Sequence, residues 1–167
     1  MPDRPTRRPS NARLVACPAE RSREAGALVK SLLHGEFGFE PDPALDADLE
    51  DPVTSYRAEG GELWVLIDET ERLRGSCAVR RLSSRDAELK RMFIDPEMRG
   101  AGHGREMLEE AITFCRAQGF ARLLLDSTRD LHAALGLYRS AGFVEIADYN
   151  GNPRADCWMA LLIAVSH

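Results

Sequence analysis

The sequence predicts an α+β fold: a single domain around a mixed, mostly antiparallel central sheet flanked by helices. Three observations carry this expectation. Three strand-like segments between residues 62 and 94 follow one another through short turns, the pattern of an antiparallel meander. After residue 104 the pattern changes to an alternation of helical and strand periodicities. At 167 residues the chain is large enough to bury a sizeable core and is most simply one domain.

Residues 1–12, with Arg4, Arg7 and Arg8 among Pro2, Pro5 and Pro9, read as a flexible Pro/Arg-rich arm, and the domain is expected over 13–167. Residues 13–17 read as a strand ended by Pro18. Residues 19–34 read as a helix with Ala25, Leu28, Val29 and Leu32 on its apolar face, broken by the Gly35–Phe39 stretch. A short second helix is expected over 43–49, with Asp42 as N-cap and Pro43 in the first turn, followed by a loop through Tyr56 to Gly60-Gly61. The meander strands are expected at 62–68, 74–82 and 86–94. Residues 105–118 form an amphipathic helix with Leu108, Ala111, Ile112 and Cys115 on one face, ended by Gly119. Residues 122–126 are nearly all apolar, as in a central strand buried on both faces. Asp130 is expected to cap a helix over 131–141, and closing strands are expected at 144–146 and 157–165 around a turn at 149–153.

Hydrophobic residues make up 44% and charged residues 29%, the balance of a soluble globular protein. A net charge of −5 argues against nucleic acid as a partner of the whole domain. Cys17, Cys77, Cys115 and Cys157 lack any C-x-x-C spacing and read as reduced, buried thiols. The N-terminal segment has no apolar core of a secretory signal, and the longest apolar run, 158–165, is too short for a membrane span. A cytoplasmic protein without membrane contact is expected. His34, His103, His132 and His167 show no metal-ligand spacing, so no metal site is expected.

The most informative stretch is Arg99-Gly100-Ala101-Gly102-His103-Gly104, lying between an expected strand and an expected helix. Glycines at such a junction let the chain turn tightly, and the orphan amides and dipole of the helix start favour an anion such as phosphate. The spacing fits neither the dinucleotide fingerprint nor a Walker A loop. It fits R/Q-x-x-G-x-G/A, and the downstream Leu137-Tyr138-Arg139-Ser140-Ala141-Gly142-Phe143 fits L-Y-x-x-x-G-F. With the preceding 87–100 segment, these motifs resemble the GCN5-related N-acetyltransferase (GNAT) superfamily, and the order of elements from about residue 13 onward is similar to that of the GNAT fold.

The resemblance implies that Gly100, Ala101, Gly102, His103 and Gly104 bind the pyrophosphate of acetyl-CoA through their amides, with Arg99 neutralising phosphate. His103 occupies a variable position of the motif and is expected to be exposed. Met92, Phe93 and Ile94 would lend main-chain hydrogen bonds to the pantetheine arm and thioester carbonyl. The resemblance also assigns Tyr138 as the proton donor to the leaving thiolate, although periodicity alone places it in a core stripe with Leu131, Ala134 and Leu135. Where the family often has Asn, this chain carries Leu131.

Simple alternation along 86–94 puts Glu88, Lys90, Met92 and Ile94 on one face, and Leu89, Arg91 and Phe93 on the other. A carboxylate on a mostly apolar strand is suited to general-base work, because the acceptor amine must be neutral to attack. Glu88 is therefore the expected base, with an ion pair to Lys90 or Arg91 as the structural alternative. Asp126 and Ser127, at the end of the buried strand, either contact pantetheine or acceptor or simply begin the next turn. Glu36, Glu40, Asp42, Asp46, Asp48, Glu50 and Asp51 form an acidic run without Lys or Arg. Such a run is either a solvated helix face or a wall that attracts a cationic amine. Phe37, Phe39, Tyr56, Trp64 and Tyr149 are candidates for an aromatic lining.

The expected activity is direct transfer of an acetyl group from acetyl-CoA to a primary amine of a small molecule. A protein or peptide acceptor and a non-catalytic acyl-CoA-binding module remain as alternatives. By analogy alone, the C-terminal strands could support a homodimer.

Overall fold

The computed structural model describes residues 11–164, so most of the expected arm lies outside the described residues. Seven strands form one sheet in the order β1-β2-β3-β4-β5-β7-β6. They are β1 (Ala12–Ala16), β2 (Glu62–Asp68), β3 (Leu73–Arg81), β4 (Asp86–Ile94), β5 (Arg122–Ser127), β6 (Val144–Ile146) and β7 (Cys157–Leu162). Only β4 and β5 pair in parallel; every other neighbouring pair is antiparallel. Ala12, assigned to the arm by sequence, is already in β1 and pairs with Asp68.

The helices α1 (Ser22–Lys30) and α2 (Pro52–Arg57) pack on one face of the sheet. There Ala25, Val53 and Tyr56 meet Leu63, Val65, Ile67 and Ala78. The helices α3 (His103–Gln118) and α4 (His132–Ser140) cover the other face, where Met107, Leu108, Ala111, Leu135 and Tyr138 pack on Val79, Ala87, Leu89, Leu123 and Leu125. Leu123, Leu124 and Leu125 are all buried, as expected of a strand in the middle of the sheet. No helix among the described residues is long and apolar enough to cross a membrane. All four cysteines are free and buried, and burial raises the Cys17 thiol to about 11.

The expected second helix is misplaced. Residues 43–46 are turns and Ala47–Leu49 is one 3-10 turn, whereas α2 lies where a loop was expected. Two Asp-Pro pairs compete for the same signal. Asp42 caps only a turn, accepting from the amides of Ala44 and Leu45, while Asp51 caps α2 by accepting from the Thr54 amide, with Pro52 at the first position. After the second pair the buried side chains Val53 and Tyr56 fall at helical spacing, whereas after the first Asp46 and Asp48 are buried by pairing with Arg154 and Arg91. Asp130 is likewise no cap: α4 begins after Leu131 without a side-chain cap bond. The first helix continues past Lys30 as a wide π turn over Ser31–Glu36.

Gly26 allows α1 to sit against the 36–51 segment, since a Cβ there would lie 2.0 Å from the Leu49 carbonyl oxygen. Gly26→Ala is expected to destabilise the fold by about 1–3 kcal/mol, because backbone must move to relieve the overlap. A fall in the urea midpoint with an unchanged slope would show this; an unchanged midpoint would mean that the two segments separate freely.

Candidate active site

The candidate site begins where the central sheet opens. β4 and β5 pair only from Asp86–Glu88 to Arg122–Leu124. Beyond this, β4 stays with β3 as far as Ile94 and β5 stays with β7 as far as Ser127. The facing edges of residues 89–94 and 125–127 therefore have no strand partner, so main-chain groups there are available to an extended ligand.

A bulge in β4 accompanies the parting. Ser76 pairs with Phe93 and Ala78 with Lys90, so Arg91 and Met92 together stand opposite Cys77. Arg91 takes a left-handed backbone conformation (φ 52°), and the Ser76 hydroxyl donates to its carbonyl at 2.7 Å. Such an insertion bends and twists a strand and shifts its side-chain alternation by one. Alternation alone therefore misassigns the faces. Ala87 and Leu89 face α3, Arg91 and Phe93 reach the α1 side, and Met92 and Ile94 pack with the α3–α4 core. Glu88 and Met92 consequently lie on opposite faces.

On the α3–α4 face, Gly100 (φ 82°) and Gly102 (φ 88°) hold left-handed conformations with open space around them, and α3 starts at His103 without a side-chain cap. The first bond within that helix is donated by Glu106 to Gly102, leaving the preceding amides at an anion-favouring helix start. A Cβ at Gly104 would touch Leu137, Ile94 and Met92 at 3.3–3.6 Å, so this glycine keeps the loop close to the parted strand. These features fit the phosphate and pantetheine portions of a CoA thioester. His103 is buried at 6% exposure, contrary to the exposed position expected, because it opens the helix against the core and not in the loop. Arg99 donates to the Ile94 carbonyl at 3.0 Å and forms a two-pronged pair with Glu36, Nη2 to Oε2 at 2.8 Å.

Tyr138 extends from α4 over the same region, its hydroxyl 3.9 Å from the Met92 sulfur. Burial, reinforced by Asp126 and Cys77, pushes its proton affinity well above the ordinary tyrosine range, so the hydroxyl is protonated at neutral pH.

On the opposite face Glu88 is 3% exposed. It accepts from the Tyr149 hydroxyl at 2.6 Å and from the Asn150 amide at 3.3 Å, with Lys90 Nζ at 3.9 Å. Asn150 also donates to Asp126 at 2.6 Å, and Asn152 adds a bond at 3.2 Å. Asn150 accepts in turn from the Trp158 indole at 2.9 Å. The β6–β7 connection thus bridges β4 and β5 where the sheet has opened. Its length exceeds what a hairpin needs, which is the one sequence signal that could have marked it as more than a turn. Ser127 pairs with Cys157 at the end of the same edge.

The acidic run divides: Glu36, Glu40, Glu50 and Asp51 are exposed, while Asp46 and Asp48 are buried in ion pairs. Asp48 pairs with Arg91 at 2.8 and 2.9 Å and accepts from the Tyr56 hydroxyl, while Asp46 pairs with Arg154 at 2.7 Å. Glu50 pairs with Lys30, Glu36 with Arg99, Asp42 caps a turn and Asp51 caps α2. Of the candidate aromatics, only Tyr149 touches Glu88. Tyr56 and Trp64 are core, Phe37 packs on Phe93, and Phe39 lies under Arg154.

The model of the Acetyltransferase (GNAT) family matches residues 27–143. An uncharacterized N-acetyltransferase of Schizosaccharomyces pombe is 28% identical over 148 residues, 87% of this chain and 91% of that protein. A GNAT-family acetyltransferase from Staphylococcus aureus superposes with a TM-score of 0.84 at 21% identity, covering 92% of this chain and all of the other. A phosphinothricin acetyltransferase from Sinorhizobium meliloti, solved with acetyl-CoA, superposes with a TM-score of 0.70 at 21% identity, covering 91% and 88%.

Two outcomes follow from the ion pairs. Arg91→Ala leaves Asp48 buried without its cation and is expected to cost about 3–5 kcal/mol, measurable by denaturant unfolding. A cost within the range of an exposed pair would show that water replaces the guanidinium. Burial opposes ionisation of Asp46, but Arg154, the Asp42 amide and Arg91 outweigh it and hold the carboxyl at about 2. The stability Asp46 contributes is thus complete above its unfolded value near 3.9 and is lost as pH falls through about 2. Arg154→Gln should reduce the acid dependence of unfolding between pH 4 and 2; identical slopes for the two proteins would refute this.

Proposed function

The chain belongs to the GNAT acetyltransferase family and is an N-acetyltransferase with acetyl-CoA as its acetyl donor, and on that premise we propose direct transfer to the primary amine of a small molecule. The observation that carries this reading is the two-sided gap between β4 and β5, with Tyr138 on one face and Glu88 on the other. The Gly100–Gly104 amides and Arg99, once released from Glu36, hold the pyrophosphate. The main chain of Met92, Phe93 and Ile94 holds the pantetheine arm from one edge, and Asp126 and Ser127 line the other.

Bound acetyl-CoA supplies an acetyl thioester whose C–S bond breaks as the new C–N bond forms. Glu88 removes the proton that keeps the acceptor amine from attacking, directly or through a water. Its hydrogen bonds from Tyr149 and Asn150 fix the carboxylate toward the gap. A main-chain N–H along Met92–Ile94 stabilises the developing oxyanion. Tyr138 gives its hydroxyl proton to the departing thiolate.

A compact acceptor is favoured because Arg154 ties the 147–156 loop to Asp46 and to the Glu40 carbonyl, bridging the acceptor face. We place the reaction in the cytoplasm, where the four buried thiols stay reduced. A homodimer through the C-terminal strands is supported by Val144 and Leu162, which are 63% and 79% exposed at that end of the sheet.

Tyr138→Phe and Glu88→Gln are each expected to lower kcat by about 100-fold or more while leaving acetyl-CoA affinity within a few fold. Release of free thiol across an amine panel gives the rate, and calorimetric titration gives the affinity. Unchanged rates in both variants would remove these two roles, and the absence of amine-dependent thiol release in the native protein would reduce the site to acyl-CoA binding.

A further inference from the structure

The charge pattern around Glu88 identifies what the acceptor carries besides its amine. On the α1–α2 face, Arg80 of β3 pairs in register with Glu88 of β4, which pairs with Leu124 of β5, and Asp126 lies two residues along on the same face. Arg80 and Asp126 thus lie on opposite sides of Glu88: Arg80 one strand away on β3, Asp126 on the part of β5 that has parted from β4. The other charges here are matched: Glu88 has Lys90, Asp48 has Arg91 and Asp46 has Arg154. Two groups lack a counter-ion. Asp126 is bound only by the neutral amides of Asn150 and Asn152. Arg80, half-buried, makes no ion pair with any described carboxylate. Its guanidinium lies over the Tyr56 ring, 5.6 Å from the centroid.

A cation–π contact with a buried ring holds the guanidinium near this face without occupying its N–H donors. Burial, Glu88 and Asp126 hold the proton on the Tyr149 hydroxyl, and the Arg80 charge opposes them. The site therefore presents one anion and one cation without a counter-ion among the described residues, on either side of the expected base.

We propose that the acceptor is an amino carboxylate, with its amine at Glu88 and Asp126 and its carboxylate on the Arg80 guanidinium. This rests on the acetyl-transfer reading above and specifies its substrate class. A guanidinium–carboxylate pair in a partly desolvated site contributes through charge-assisted, two-pronged hydrogen bonds. Of the acidic run, the buried carboxylates of Asp46 and Asp48, which would otherwise draw a multiply charged cation, are already engaged by Arg154 and Arg91.

The test uses matched pairs, each an α-amino acid and the amine left by its decarboxylation, assayed by thiol release from acetyl-CoA. The native protein should favour the amino acids in kcat/KM by about 10–100-fold, the worth of one hydrogen-bonded charge pair. Arg80→Gln should collapse that ratio toward one, chiefly by raising KM for the amino acids. Arg80→Lys should restore part of it, which a merely structural role for Arg80 does not predict. Preference for the decarboxylated amines, or a ratio that survives Arg80→Gln in a variant with native thermal stability, overturns the proposal and leaves acetyl transfer standing. If no member of any pair is acetylated, the small-amine reading falls and this inference falls with it.

Discussion

The site depends on one local backbone event, the insertion of Arg91 into β4. A non-glycine residue in the left-handed region costs roughly 1–2 kcal/mol, and such a residue persists only when its surroundings over-determine it. Here they do. The guanidinium is clamped by Asp48 and the Leu45 carbonyl, and the main-chain carbonyl takes the Ser76 hydroxyl. Burial opposes charge on Asp48, but Arg91 and the Tyr56 hydroxyl hold its carboxyl below the usual range. Removing any of these partners releases the constraint that keeps β4 directed away from β5.

Buried ion pairs are poor sources of net stability, since desolvation offsets most of the attraction. Their distribution here points to a different role. Asp48 joins the α1–α2 connection to β4, Asp46 joins it to the β6–β7 loop, and Glu36 joins the end of the first helix to the glycine loop. Three segments distant in sequence are held around the opening by pairs whose geometry is specific, which apolar contacts alone do not impose. Arg99 differs from the other two cations in being 41% exposed at its side chain. Its bond to Glu36 is the one most easily exchanged for a phosphate, because an exposed pair is worth about 1 kcal/mol or less.

The sheet was the most legible part of the fold. β2, β4 and β6 have the bounds their alternation and turn residues imply, and β5 is buried as a run of three leucines predicts. The places of the glycine loop and of Tyr138 were legible because their signals are local, a glycine cluster before a helix and a tyrosine in a helical stripe, while the role proposed for Tyr138 came from the family resemblance. The bulge was not, because nothing in the order Lys90-Arg91-Met92 marks an arginine that will turn left-handed. That conformation is stabilised by Asp48, 43 residues away. The same limitation misread the acidic run. Composition shows seven carboxylates without a basic neighbour in sequence, whereas Arg91, Arg99 and Arg154 reach three of them, Asp48, Glu36 and Asp46, from other elements. His103 was misjudged because motif position says nothing about which side of the first helical turn meets the core.

A strand that alternated regularly would put Glu88 and Met92 on one face, and Tyr138, which packs over Met92, would share it. Acid and base would then compete for one side of the opening, and the donor and acceptor would have to enter by the same route. The extra residue at Arg91 reverses the alternation between them, so that Met92 turns to α4 while Glu88 keeps to the face crossed by the β6–β7 loop. The edge of β4 becomes a partition, with a protonated phenol behind it and a carboxylate in front. In the proposed transfer, attack comes from the Glu88 side and the thiolate departs toward the Tyr138 side, the arrangement that lets a nucleophile enter while the leaving group is protonated. One left-handed arginine thereby puts Glu88 and Tyr138, the proposed base and acid, on opposite faces.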